Sequence, residues 1–263
     1  MHLSSPRRAL VRAPSLRYAS CLRRDPVPID VATAVQQHEG YVRALREAGV
    51  TIEWLPPLPL AADAVFVEDT AVVLHDRALV TIPGAPSRRV ETSSVAQALQ
   101  RHVAVETMLP PAMLDGGDVL RCGDALVVGL SARTNRAGLE TLARFAHGAG
   151  LRAVGIEVRE GLHLKSACTL ADAQTLLVSP GAFDLVELGT LTVEPVLVPE
   201  PEGANVLALG ERVLVSDAAP RTAELLARRG LLPRLLPLSQ IHAGDGALTC
   251  MSLRLPADAA VIA

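Results

Sequence analysis

Residues 64–84 read AVFVEDTAVVLHDRALVTIPG: an apolar run, a polar turn at His75-Asp76-Arg77, and a second apolar run. Two β-rich runs around a short polar turn predict a hairpin. The same arrangement recurs at 114–131 (LDGGDVLRCGDALVVGLS), with its turn at Arg121-Cys122-Gly123-Asp124. It recurs again at 162–181 (LHLKSACTLADAQTLLVSPG), turning around Ala171-Asp172, and at 204–217 (ANVLALGERVLVSD), turning at Glu211. A fifth first strand stands at 247–255, ALTCMSLRL, with no obvious partner downstream. Its partner is expected upstream, in RALVRAP at 8–14. The exits support this: VRAPSLR (11–17) resembles GAPSRR (84–89), SARTNR (131–136) and AAPRTAE (218–224). The N-terminal segment thus behaves as the second strand of the last unit, and the repeat closes on itself as propellers do.

Helical stretches separate the hairpins. Asp30 is a predicted N-cap for Val31 to Ala48, with Gly49 as the stop. Further helices are expected from Thr92 or Ser93 to His102, Asn135 to His147, Ala182 to Leu188 and Arg221 to Arg229. Each unit then adds a strand, such as Thr51–Leu55, Ala104–Thr107, Arg152–Val158 or Leu235–Pro237. The expectation is an α/β fold: a five-bladed, pseudo-symmetric α/β propeller of ββαβ units, closed by the N- and C-terminal strands. Five such units account for 1–263 as a single domain. A generic α/β domain with chance internal similarity is the alternative.

The formal net charge of −3 removes the basic surface that a dedicated nucleic-acid binder needs. With aromatics at 2%, base-stacking platforms are not expected either. The N-terminus carries Arg7, Arg8 and Arg12 but no apolar run of signal-peptide length, and nothing approaches the roughly 20 apolar residues of a membrane helix. The four cysteines, Cys21, Cys122, Cys168 and Cys250, show no CxxC spacing, which argues against a zinc knuckle. A cytoplasmic protein with reduced thiols is expected.

The first strands should be wholly apolar if they lined only a core. Each instead carries polar or reactive groups: Glu68 and Asp69; Asp115 and Asp118; His163 and Lys165; Asn205; Cys250. Burying such groups without partners costs about 1–3 kcal/mol each. Each has a bland reading: a cysteine in an apolar run is ordinarily an inert small hydrophobe, a lone histidine is ordinarily structural, and DGGD alone is a turn. Their equivalent placement in five repeats carries the joint reading, because five strands around one axis would bring a thiol, an imidazole and several carboxylates together. Cys122, in a predicted turn, and Cys168, late in a first strand, read as structural; Cys21, in a predicted loop, reads as a candidate surface thiol.

At these residues the sequence resembles the dimethylarginine dimethylaminohydrolases of the guanidino-group-modifying (pentein) superfamily. The matching stretches are VFVEDTAVV (65–73), PGAPSRR (83–89), LDGGDVL (114–120), VGLSARTN (128–135), GLHLKS (161–166), GAN (203–205) and DGALTCMS (245–252). The resemblance implies a five-bladed propeller and hydrolysis of Nω,Nω-dimethyl- and Nω-monomethyl-L-arginine to L-citrulline and dimethylamine or methylamine. It implies Cys250 as nucleophile, His163 as general acid/base and Asp115 as the carboxylate that orients the histidine, where some relatives have Glu. It further implies substrate contacts from Leu22, Asp63, Glu68, Asp69, Arg88, Arg133, Gly244 and Asp245. Among these, Asp69 would grip the guanidinium, Asp63 would help hold the amino-acid end, and Arg88 with Arg133 would bind the α-carboxylate. Gly244 replaces a bulkier aliphatic residue of some relatives. No cofactor and no catalytic metal are implied, and relatives include both monomers and dimers, so a homodimer is compatible.

That chemistry suits these residue types. A guanidinium carbon is a poor electrophile, so attack needs a polarisable thiolate, and a protonated imidazole must supply the proton that lets an amine leave. Two other readings stay open: a related hydrolase of arginine or another ω-substituted guanidine, and a non-catalytic five-fold propeller that binds a partner.

Overall fold

In the computed structural model, which describes residues 6–159, 161–189 and 191–255, each unit is a three-stranded sheet. In chain order the strands are β1 (Arg8–Val11) and β2 (Thr51–Trp54); β3 (Ala71–Leu74), β4 (Arg77–Val80) and β5 (Ala104–Thr107); β6 (Val119–Cys122), β7 (Ala125–Leu130) and β8 (Arg152–Glu157); β9 (Cys168–Leu170), β10 (Thr175–Val178) and β11 (Glu194–Leu197); β12 (Leu207–Leu209), β13 (Arg212–Ser216) and β14 (Leu232–Leu236); and β15 (Leu253–Leu255). In every sheet the middle strand is antiparallel to the inner strand and parallel to the outer one. The ring closes as expected: β1 is the middle strand of β15–β1–β2, pairing Arg8 with Leu255 and Leu10 with Leu253.

The middle strands explain why the repeat was readable. Side chains alternate across a strand, and each middle strand sends alternate residues into two different apolar clusters. In β7, Leu126 and Val128 pack in one cluster and Val127 in the next. In β4, Leu79 faces one way and Ala78 and Val80 the other. Leu177 opposes Leu176 and Val178 in β10, Leu214 opposes Val213 and Val215 in β13, and Leu10 opposes Ala9 and Val11 in β1. A strand buried on both faces reads as an unbroken apolar run. The core therefore lies in the seams between neighbouring units, and the polar groups are left for the axis.

Helices cover the outer side of the seams. α1 (Val31–Glu47) begins at Asp30, whose side chain accepts from the Ala32 amide. α2 spans Thr92–Leu99. α3 (Arg136–His147) is capped by Asn135, which accepts from Gly138 N and sends Leu142 and Phe145 into a seam. α4 (Leu164–Ala167) and α6 (Ser239–His242) are single turns, and α5 spans Pro220–Arg228. The helix expected at Ala182 to Leu188 is only a 3-10 turn at Leu185–Leu188. Gly181, at φ 82°, breaks the chain before it, and the turn is bounded by the Asp184 cap and by Gly189.

Two further corrections concern the hairpins. Cys122 ends β6 rather than lying in the turn, which is Gly123-Asp124. FVED, DGGD and HLKS are not strand. Val67–Thr70 and Gly116–Asp118 are 3-10 turns and Leu164–Ala167 is a helical turn, each placed immediately before its inner strand. Pro201–Ala204 and residues 248–251 are likewise turns. Local bonds made by side chains compete with the ladder there: Thr70 Oγ1 donates to Val67 O at 2.7 Å. No helix among the described residues is long and apolar enough to cross a membrane.

Leu10 is fully buried in the closing sheet, whereas Leu60 is 80% exposed. Leu10→Ala is expected to lower unfolding free energy by about 2–5 kcal/mol in urea titrations, and Leu60→Ala by less than about 0.5 kcal/mol.

Candidate functional site

The turns before the inner strands meet at the axis, and glycines let them touch. A Cβ on Gly116 would lie 2.1 Å from the Glu68 carbonyl oxygen. A Cβ on Gly117 would lie 2.6 Å from Asp69 Oδ1 and 2.9 Å from the His163 ring. The two glycines of LDGGD thus bring the Val67–Thr70 turn and His163 into contact with the second unit, and Gly117 N donates to Asp69 Oδ1 at 2.9 Å.

On one face of this junction lies a small closed pocket lined by Leu22, Asp63, Asp69, Arg88, Arg133, His163, Gly244, Asp245 and Cys250, together with Phe66, Leu162 and Gly246. Its volume is about 20 Å3, room for about one water molecule. Asp115 stands behind it, fully buried, with His163 Nε2 2.9 Å from its Oδ2. Its other oxygen accepts from Gly84 N at 2.9 Å. The pocket is shut by the segment around Leu22: Leu22 N donates to Asp63 Oδ1 at 2.9 Å, and Arg24 N to Asp245 Oδ2 at 2.6 Å.

Two expected contacts are placed differently. Glu68 turns away from Asp69 to the opposite face, where its Oε1 meets Lys165 Nζ at 2.6 Å and an Arg254 Nη at 2.6 Å. There it lines a separate open cavity of about 720 Å3 formed by the inner strands. Only its backbone faces the site's side, donating from N to Cys250 O at 3.1 Å. Adjacent residues of a tight turn point in different directions, which a strand reading of FVED could not resolve. Arg88 lines the pocket, but its guanidinium is already engaged. It pairs with Asp69, donates to Phe66 O at 2.7 Å, and makes two bonds to Glu91 at 3.1 and 2.8 Å. Glu91 was missed in the sequence; the Arg-x-x-Glu spacing of PSRRVE, with Pro86 at the start of a helical turn, is the signal that could have found it. Arg133 is half-buried, and its guanidinium makes no hydrogen bond or ion pair among the described residues. Cys21 is buried rather than a surface thiol, 3.6 Å from an Arg23 Nη. The thiols of Cys122 and Cys168 are buried in a seam.

Burial and charge set the protonation states. Burial pushes the Cys250 thiol up to about 12, and the carboxylates of Glu68 and Asp69 reinforce it. Burial would lower His163, but Asp69, Asp115 and Asp118 outweigh it and raise the imidazole to about 9. Burial would raise Asp69, but His163 and Arg88 hold it at about 2. Asp63 is raised by burial, with Arg88 only partly opposing. At neutral pH the pocket therefore holds a thiol, an imidazolium and an ionised Asp69. Asp69, Asp115 and His163 bring one ligand atom each to within 4.8 Å. Those atoms are committed to one another and to Arg88, so the cluster is a hydrogen-bonded ion-pair network whose charge Arg88 already balances.

Comparison with known proteins agrees with this geometry. A family model described as arginine deiminase matches residues 57–196. The chain is 40% identical over 253 residues to the N(G),N(G)-dimethylarginine dimethylaminohydrolase of Streptomyces coelicolor, covering 95% of this chain and 97% of the relative. It is 34% identical over 227 residues to the enzyme of the same name from Pseudomonas aeruginosa, covering 86% and 89%. A solved structure of the Pseudomonas aeruginosa protein, a Cys-to-Ser mutant complexed with citrulline, superposes with a TM-score of 0.89 at 31% identity, covering 95% of this chain and 100% of that one. With its five closed sheets and this degree of identity across nearly its whole length, the chain belongs to the dimethylarginine dimethylaminohydrolase family of the pentein superfamily.

Proposed function

We propose that the protein, acting as one catalytic domain in the cytoplasm, hydrolyses Nω,Nω-dimethyl- and Nω-monomethyl-L-arginine to L-citrulline and dimethylamine or methylamine. The observation that carries this reading is the His163–Asp115 pair at 2.9 Å beside a pocket that also holds Cys250 and Asp69. The citrulline complex of the similar Pseudomonas aeruginosa protein supports the product.

The resting thiol gives the reaction its order. Burial first, and then the carboxylates of Glu68 and Asp69, make a thiolate costly in the empty pocket. A bound guanidinium against Asp69 supplies the missing positive charge, lowers the thiol and orients the guanidinium carbon. The Cys250 thiol gives its proton to solvent as the substrate binds, and its thiolate then forms a bond to the guanidinium carbon. His163, charged at neutral pH, gives a proton to the methylated nitrogen, and the C–N bond breaks to release neutral amine. This leaves an S-alkylthiouronium on Cys250 and a neutral His163. The imidazole takes a proton from water as its oxygen adds to the same carbon; the C–S bond then breaks, the adduct's hydroxyl proton passes to the departing sulfur, and citrulline leaves with the Cys250 thiol and the His163 imidazolium restored. Asp115 holds the ring and stabilises its charged form.

Arg133, with its charge uncommitted, suits the α-carboxylate better than Arg88, whose role here is to hold Asp69 ionised and in place. Substrate entry requires the Leu22 segment to release from Asp63 and Asp245, since the closed pocket is too small for an amino acid. Asp63 would then be free to take the α-ammonium group. A second reading, arginine itself as substrate, is favoured by the arginine deiminase family match. Incubation with dimethylarginine, monomethylarginine and arginine, with citrulline and released amine or ammonia measured, separates the two. Citrulline chiefly from arginine overturns the first reading.

Cys250→Ser is expected to reduce citrulline formation by at least about 1,000-fold in that assay. Arg133→Ala is expected to raise KM with kcat within about threefold, whereas Arg88→Ala lowers kcat as well, because Asp69 loses its partner. His163 is protonated below about 9, so the general acid is present at neutral pH and lost as pH rises through that value. Measured kcat should therefore fall on the alkaline side near pH 9.

A further inference from the structure

Behind His163, away from the pocket, lies a second carboxylate that the reaction as derived does not use. Asp118 is fully buried and is not among the pocket-lining residues, yet both of its oxygens accept hydrogen bonds, one from the amide that follows His163 and the other from two hydroxyls. Its Oδ1 accepts from Leu164 N at 2.8 Å, the amide directly after His163. Its Oδ2 accepts from the hydroxyls of Ser131 and Thr134, each at 2.7 Å. The same Thr134 hydroxyl accepts in turn from Asp115 N at 3.1 Å. Asp118 N donates to Asp115 O at 2.9 Å. One buried carboxylate thus holds the backbone of Asp115, directly and through Thr134, and the backbone next to His163. These belong to different units, joined across a seam. The fold makes room for it: in the middle of β7, a Cβ on Gly129 would lie 2.9 Å from Asp118 Oδ1.

We propose that Asp118 is the positioning residue of this site, fixing Asp115 and His163 against each other without touching substrate. Charge-assisted bonds to amides and hydroxyls hold geometry more strongly than neutral ones, and a small displacement of an acid/base group costs rate steeply. Asp118 also contributes to the field on His163. The other charged groups facing that ring are Asp115, Asp69 (3.9 Å from Nε2) and, beyond Asp69, Arg88. Cys250, Asp63, Arg133 and Asp245 stand around the pocket wall. Lys165, on the same helical turn, is paired with Glu68 on the far face.

The kinetic arm of the test rests on the functional reading above; the spectroscopic arm does not. Asp118→Asn keeps shape and an acceptor for Leu164 N, and its amide can donate to the two hydroxyls, so only the charge and bond polarity change. With dimethylarginine as substrate, kcat is expected to fall about 100-fold with KM within about threefold and thermal melting near wild type. The His163 ring titration, followed by NMR without substrate and assigned by signal loss in His163→Gln, should move down by about one pH unit. A folded Asp118→Asn protein with wild-type kcat and His163 titration overturns the proposal. If that variant does not fold, Thr134→Val decides: a fall in kcat of about 10-fold at unchanged KM and melting supports it, and unchanged kcat overturns it. If the wild-type protein turns over none of the three substrates, only the functional reading fails, and the His163 titration in Asp118→Asn still decides the role of Asp118.

Discussion

The pairing of β1 with β15 is the constraint on which the site depends. Cys250 sits three residues before β15, in a turn with no sheet of its own. Only when Leu10 takes its place opposite Leu253, and Leu10 and Leu255 enter the same seam, does Cys250 O come to rest 3.1 Å from Glu68 N. The thiol and the turn carrying Asp69 are then locked together. Residues nearly the whole length of the chain apart must therefore find each other before any part of the pocket exists, and the free energy for this comes from the apolar seams rather than from the polar axis.

The axis in turn shows how buried charge is tolerated. Asp69, Asp115 and Glu91, together with Asp118 on the side of His163 away from the pocket, are opposed by Arg88 and His163; on the far face Glu68 is opposed by Lys165 and Arg254. Separating adjacent Glu68 and Asp69 onto two faces gives each carboxylate its own cation. Burial, and after it Glu68 and Asp69, keeps Cys250 protonated when the pocket is empty, while Asp69, Asp115 and Asp118 raise His163. Both effects suit a cationic substrate, whose arrival relieves the first without abolishing the second. In the proposed reaction this pocket, which closes to the size of one water, would open and then organise itself around a charged amino acid.

The large-scale fold was legible because middle strands such as RALV and ALVVGL are apolar on both faces, and because the exits from them repeat in sequence. The ring closure followed from those exits alone. The turns before the inner strands were not legible: VFVEDTAVVL alternates well enough to pass for strand, and what bends it is a set of tertiary contacts, chiefly the close approach of Gly116 to the Glu68 carbonyl. Repeat position singled out Glu68, Asp69, Asp115, His163 and Cys250, and the family resemblance added Leu22, Asp63, Arg88, Arg133, Gly244 and Asp245; nine of these eleven line one pocket, with Asp115 directly behind His163. What sequence could not give was direction. Glu68 and Asp69 differ by one position and face opposite sides, and whether Arg88 points at a ligand or at Glu91 is decided by a helical turn in PSRRVE that local propensity does not specify. The burial of Cys21 was missed because it comes in part from Gly244, far away in sequence, whose Cβ position would lie 3.1 Å from the Cys21 sulfur.

The register of β15 on β1 has a consequence for how the chain could be threaded. In the unit of β3 and β4, Leu74 faces Arg77 across a two-residue turn; at the closure, Leu255 faces Arg8 in the same relation, with Arg7 N donating to Leu255 O at 3.1 Å. A two-residue linker from Leu255 to Arg8 would turn the closure into one more ordinary hairpin, and new ends could be opened at an exposed connection such as that between β10 and β11. The ring has five interchangeable joints, and the chain happens to be cut at one of them. A circularly permuted gene would rebuild the same ring from a different starting point, with Cys250 placed in the interior of the chain rather than near its end.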